Sequence, residues 1–526
     1  MMSAPKSESS IMVGTVRKLT LATALLCAGA AGALAGKAND TFVWATSTEV
    51  GSPDLYYGNQ REVLIIAYAQ CDTLIHRDPV TNAYKPLLAE SWAWTDPVTL
   101  DLTLRKGVKF HDGRDFGAED VAYTFNQLIK PDSAMQYRAI IDWIKTVEVI
   151  APDKVRIHAN APTPAALEFL SGTTPIYPRG HYDNAPSAAG ADGKARRDYG
   201  AVRPMCTGPY VLKDYKPGQS VTLTKNPNYF AGSPKGKPQI GTIVYRTIKD
   251  TDTQVAELLT GGVDWIWGVP PENAKQLGAM PNVVVKSAAT MRMSFLSLDA
   301  AGRTGDNPFK DVRVRRAIFH AIDREAIAKN LVGEGAVVQK SLCTPVQFGC
   351  ETDVPQYTYD PAKSKALLAE AGYPNGLSIP FYAYRDRPYS EAVLNYLRQA
   401  GFKPELKFLQ WQALRPLIID GKTELTHLTF GSNGILDASA STSYYFRFTV
   451  DDYARDPELR DWLAEADVSI DPDKRKALYA RALKRINEQA YAVPLFVYGR
   501  TYAYSKDLDF PLTQDEMAHF YLARWK

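Results

Sequence analysis

Catalytic motifs are what this 526-residue sequence most clearly lacks. It has no G-x-S-x-G turn to raise a serine, no H-E-x-x-H pair for zinc, no P-loop and no G-x-G-x-x-G opening a helix. Its seven histidines, His76, His111, His158, His181, His320, His427 and His519, include no pair three or four residues apart that could aim two imidazoles at one ion. A hydrolase would therefore need a site assembled from distant residues. Charge of one sign is also missing. The 61 basic and 58 acidic residues leave +3, and no pull toward nucleic acid follows. Beyond the first 35 residues no segment is long and apolar enough to cross a bilayer.

Those first residues read as a targeting segment. Arg17 and Lys18 precede an apolar and small-residue run from Leu19 that ends in Ala33-Leu34-Ala35, which predicts export with cleavage after Ala35. Leu25 and Leu26 stand before Cys27 where a lipoprotein needs small residues, so no lipid anchor is expected. The segment carries Lys6, Arg17 and Lys18 against Glu8, so its removal takes the balance from +3 to about +1. Export gives the four remaining cysteines an oxidising compartment. Cys343 and Cys350, close together in a Pro/Gly-containing loop, are expected to pair. Cys71 and Cys206 are left as a second pair or as buried thiols.

At this length two or three domains are expected, because single cores stop growing near ~250 to 300 residues. Strand and helix signals alternate irregularly, as in mixed α/β domains. Val98 to Leu104 alternates apolar and polar residues and reads as a half-buried strand. Ala151-Pro152-Asp153-Lys154 and Lys216-Pro217-Gly218-Gln219 each join two strands of a hairpin. Asp360-Pro361 and Asp471-Pro472 open helices as cap and first-turn proline, Glu119 and Asp120 begin another, and one more is expected from about Val312 to Val332. Asn184 to Arg203 lacks periodicity and reads as a linker or surface loop. Tyrosine is frequent at 29, with pairs at Tyr56-Tyr57 and Tyr444-Tyr445 in expected loops. Such rings suit recognition of a small organic ligand, although most pack in cores.

Leu88-Ala89-Glu90-Ser91-Trp92, then Leu102-Thr103-Leu104-Arg105-Lys106-Gly107-Val108-Lys109-Phe110-His111-Asp112-Gly113 and Ala118-Glu119-Asp120-Val121, resemble the bacterial extracellular solute-binding protein family that includes the dipeptide-, oligopeptide- and nickel-binding proteins. Thr207-Gly208-Pro209-Tyr210, Asn226-Pro227-Asn228-Tyr229, Gly262-Val263-Asp264, Ala321-Ile322-Asp323-Arg324 and Tyr359-Asp360-Pro361 continue the likeness along the chain. The resemblance implies an α/β, periplasmic binding protein-like clamshell of the three-domain type. Domain I would comprise 36–75, 204–288 and 496–526, domain II 76–203 and domain III 289–495, with ligand enclosed between domains I and III. Glu90, His111 and Asp120 are expected to serve packing.

The same resemblance suggests a site. Arg387-Pro388-Tyr389 resembles the stretch whose Arg takes the ligand carboxylate in the dipeptide-binding branch. Asn433 stands where that branch places an Asp for the ligand ammonium. An amide cannot neutralise that charge, which leaves Asp437 or Glu49 as substitutes. Trp411, Tyr56 and Tyr57 are expected to cover the apolar part of the ligand. The implied function is the periplasmic binding component of an ABC importer, taking a small peptide or other amino-acid-derived carboxylate. Its partners would be permease subunits and their ATPases, with no nucleic acid, no cofactor or metal, and a monomeric chain. An opine, metal-chelate or haem ligand is the alternative within this class; a secreted hydrolase is the alternative outside it.

Overall fold

The computed structural model describes residues 35–526 except 59, 190–194, 432, 433, 514 and 516. The expected signal segment lies outside the described residues apart from Ala35.

The leucine-rich alternation near residue 100 builds the centre of a four-stranded antiparallel sheet. Its order is Ala89–Asp96, Thr99–Leu104, Lys154–Ala159, Ile144–Ala151. Leu100, Leu102 and Leu104 point into the core, while Asp101 faces outward and takes both Nε and Nη2 of Arg156 at 2.7 and 2.8 Å. The helix Ala118–Leu128 lays Val121, Phe125 and Leu128 on that core. Asp120 caps the helix start by accepting from Gly117 N at 2.8 Å and also receives Arg179 N, which agrees with a packing role. Residues 184–203, read as a linker or surface loop, contain a short hairpin of Ser187–Ala189 and Ala195–Arg197.

A single eleven-stranded mixed sheet runs through the rest of the molecule. At one end Thr41–Thr46 lies between parallel neighbours Thr242–Thr247 and Trp265–Trp267, backed by Trp44, Trp265, Tyr245 and Phe520. At the other, Leu377–Ala383 pairs in parallel with Phe402–Phe408 and Leu425–Phe430, covered by Pro361–Glu370 and Arg387–Gln399. Asp360 and Asp471 cap their helices through the amides of Lys363 and Asp473, as the Asp-Pro pairs predict. The helix expected over 312–332 is broken. Val312–Ala321 ends where Ile322 turns extended, and Asp323 caps a new turn by accepting from Ala326 N at 2.8 Å.

The strands Val283–Leu298 and Ala492–Ser505 join the two ends. Residues 283–289 pair with 499–505 beside Trp265–Trp267, and 293–297 pair with 492–497 beside Leu425–Phe430. Their register breaks between Ala289 and Met293. A Cβ at Gly499 would stand 2.6 Å from Ala336 N, so only glycine lets the turn around Gly335 close over the break. The domain boundaries expected at 288/289 and 495/496 fall inside these continuous strands, on which the chain passes twice between the two ends of the sheet. Cys71 is bonded to Cys206 and Cys343 to Cys350.

Candidate ligand pocket at the hinge

A cavity of about 200 Å³ opens beside the register break. Arg292 reaches it from the broken strand, where Thr290 fixes the backbone by accepting from Arg292 N at 3.1 Å and donating to Tyr498 O at 2.9 Å. Its guanidinium lies against Gly431, just past Leu425–Phe430. A Cβ at Gly431 would stand 2.9 Å from Arg292 Nη2, so the glycine makes room for the cation. Arg61, in the first turn of the helix Arg61–Gln70, supplies a second guanidinium. It is steered by Trp267, whose ring lies 5.2 Å from the Arg61 guanidinium and 4.9 Å from that of Arg500.

The helix start itself faces the cavity. Gln60 is its N-cap residue and makes no side-chain cap, and Leu64 lies one turn on. Gln60 Oε1 and Thr173 Oγ1 are buried with no hydrogen-bond partner among the described residues. Leu55, Leu64, Met135, Ile140 and Met517 provide an apolar lining. Arg61, Arg292 and the positive end of a helix dipole border a half-apolar space, an arrangement suited to an organic anion.

The supporting shell is polar and buried. Asp515 orients the Met517 segment by accepting from Met517 N, Thr513 Oγ1 and His519 Nε2. Arg77 pairs with Glu168 at 2.5 Å and donates to Gly434 O at 2.8 Å, while Glu168 accepts from Leu436 N at 3.0 Å and from Tyr84 OH. This cluster fastens the four-stranded sheet's domain to the segment after Gly431. Under the cavity, Asp54 accepts from Tyr56 N, Tyr177 OH and Tyr182 OH. Burial outweighs these three donors and pushes its carboxyl up to about 7.

The described residues expected in the site do not line this cavity. Arg387 opens a surface helix with its side chain 60% exposed, donates to Glu391 at 2.7 Å and lies 5.3 Å from the Phe408 ring. Glu391, one helical turn on, is the nearer partner for that guanidinium. Trp411 is exposed on its helix against Tyr384, and Glu49 is exposed and paired with Lys249. Tyr56 is 1% exposed and donates to Pro175 O, a core position. Tyr57 packs on Tyr182 and Tyr199 and borders a neighbouring 610 Å³ cleft. Asp437 is 3% exposed with both oxygens taken by Arg475 at 2.8 Å, so it cannot also neutralise a ligand. Asn433 lies outside the described residues. The sequence did carry signals for the residues that line the cavity. Arg292 is a charge inside Met291-Arg292-Met293-Ser294-Phe295, and Arg61 is a cation at a helix N-terminus, against the usual dipole preference.

A large mixed sheet flanked by helices, its two ends joined by the crossing strands, is the α/β fold of a clamshell binding protein. Residues 83–452 match the bacterial extracellular solute-binding proteins, family 5 Middle, and the chain belongs to that family. The "Glutathione-binding protein GsiB" of Salmonella choleraesuis (strain SC-B67) is 27% identical over 451 residues, covering 81% of this chain and 82% of the relative. Two solved structures share the fold. A dipeptide-binding protein from Pseudoalteromonas sp. SM9913 in complex with Met-Leu has a TM-score of 0.76 at 23% identity, covering 92% of this chain and 100% of its own. The ABC transporter-associated periplasmic binding protein DppA from Helicobacter pylori in complex with the peptide STSA has a TM-score of 0.76 at 24% identity, covering 92% and 98%.

Proposed function

We propose that this protein is the exported, periplasmic solute-binding component of an ATP-driven importer, and that it captures a short peptide or peptide-like acid at the hinge. Arg292 and Arg61 hold the ligand carboxylate, the start of the helix Arg61–Gln70 adds a favourable dipole, and Met135, Ile140 and Met517 cover the apolar part. The observation that carries this reading is that Arg61, Arg292 and the start of the helix Arg61–Gln70 border one half-apolar cavity beside the register break of the crossing strands. The glutathione-binding name of the curated relative supports an acidic, peptide-like ligand. Delivery to permease subunits driven by ATPases follows from the family, and one chain suffices to build the pocket.

Hydrolysis is disfavoured on geometry. His427 contacts Ser294 Oγ at 2.7 Å and Ser390 Oγ at 2.8 Å, but all three are sealed in the core of the 289–495 lobe, away from the cavity. A thermal-shift panel of dipeptides, tripeptides and glutathione, each as free acid and as amide, tests the proposal. The free acids should raise the melting temperature and the amides should not. Equal stabilisation by both forms, or turnover of a peptide, would sink it.

A further inference from the structure

At about 200 Å³ the hinge cavity is smaller than the ~300 to 1,000 Å³ usual for small-molecule sites, so a peptide must extend beyond it. Two larger spaces adjoin. The 610 Å³ cleft shares Gly58, Gln60 and Gln136 with the cavity, but its described walls come from residues 51–60, 134–136 and 197–217 alone. Lobe closure would enclose nothing there. The second space, about 520 Å³, is walled on one side by Trp143, Asn160 and Phe169 and on the other by Ile435, Ser443 and Tyr444, so it is bounded by both lobes. Among the described residues, Tyr137 lines both this space and the hinge cavity.

The backbone on either side of Tyr137 is fastened. Gln136 N donates to Tyr56 O at 3.1 Å. Arg138 Nη1 donates to Leu128 O, Lys130 O and Ser133 Oγ and Nη2 to Ile129 O, while its guanidinium pairs with Asp142 at 3.1 Å. One arginine thus ties the loop to the carboxyl end of the helix Ala118–Leu128, where free carbonyls attract a cation. The backbone that carries the Tyr137 ring is thereby held on both sides.

We infer that Tyr137 sets ligand length: it partitions the hinge cavity from the 520 Å³ cleft, and a peptide whose carboxylate is on Arg292 must pass its ring to place further residues. The inference rests on the carboxylate reading above. It is tested by calorimetry with alanine peptides of two to six residues on the wild type and on Tyr137→Ala and Tyr137→Leu. Truncation should improve the pentapeptide relative to the dipeptide by about tenfold, less for Leu than for Ala, a change of roughly 1.4 kcal/mol. Arg292→Gln should instead weaken all lengths by a similar factor. If the wild type binds peptides and the length ratio does not move in either truncation, the partition is wrong and the carboxylate reading stands. If the wild type binds no peptide, both fall.

Discussion

At the scale of single residues, the site depends on groups held by what surrounds them. Arg292 is aimed into the cavity because position 431 carries no side chain and because Thr290 locks the strand break. Asp54 is the opposite case, a carboxylate withdrawn from water beneath the Leu55–Gly58 turn that lines the cavity. Its pKa rises from 3.8 to about 7 because burial penalises the charge. A raised folded-state value means the folded protein holds this proton more tightly than the unfolded chain does. The associated stability is full below about pH 4 and is lost as pH rises toward about 7, by several kcal/mol at most. Asp54→Asn, which cannot ionise, should flatten this fall. Melting curves from pH 4.5 to 7.5 should show the variant losing less stability than the wild type, and parallel curves would exclude the role. None of this was legible in the sequence. The Tyr56-Tyr57 pair drew attention as ligand-facing, yet Tyr56 serves the core and Asp54 organises the tyrosines around it.

At the scale of elements, local chemistry was readable wherever a short stretch decides the outcome. The leucine alternation from residue 98, the two Asp-Pro caps and the turn inserts at 151–154 and 216–219 all appear as the residues dictate. The break at Ile322 was missed because apolar spacing continued through it while Asp323 recaptured an amide. Elements brought together from afar leave no such trace. Arg77, Glu168 and Leu436 are hundreds of residues apart at the extremes, yet they form one buried polar latch between the four-stranded sheet's domain and the segment after Gly431. Removing one member of a buried ion pair costs about 3 to 5 kcal/mol, because the other charge stays buried. Glu168→Ala should therefore lower the melting temperature and speed hydrogen exchange at the Leu436 amide, which loses its acceptor, whereas Glu168→Gln should do both less. Unchanged exchange at Leu436 in the alanine variant would show that the latch contributes nothing.

At the scale of the whole molecule, family membership was readable because its motifs lie along most of the chain, and the α/β clamshell followed from it. The pocket was not. Arg387, expected by likeness to one branch, does not line the cavity beside the register break, whereas Arg61 and Arg292, 231 positions apart, do. Two antiparallel strands passing between the ends of the sheet bring such positions to one cavity, and only the folded chain reveals which ones. The central claim is that closure places a ligand carboxylate on Arg292. The most direct test is calorimetry on a two-by-two comparison, free-acid against amidated peptide with wild type against Arg292→Gln. A charge pair enclosed in the cleft should cost about 2 to 5 kcal/mol when either partner is removed, and much less for the second removal once the first is made. Losses that simply add, or an Arg292→Gln variant that still prefers the free acid by the wild-type factor, would place the carboxylate elsewhere.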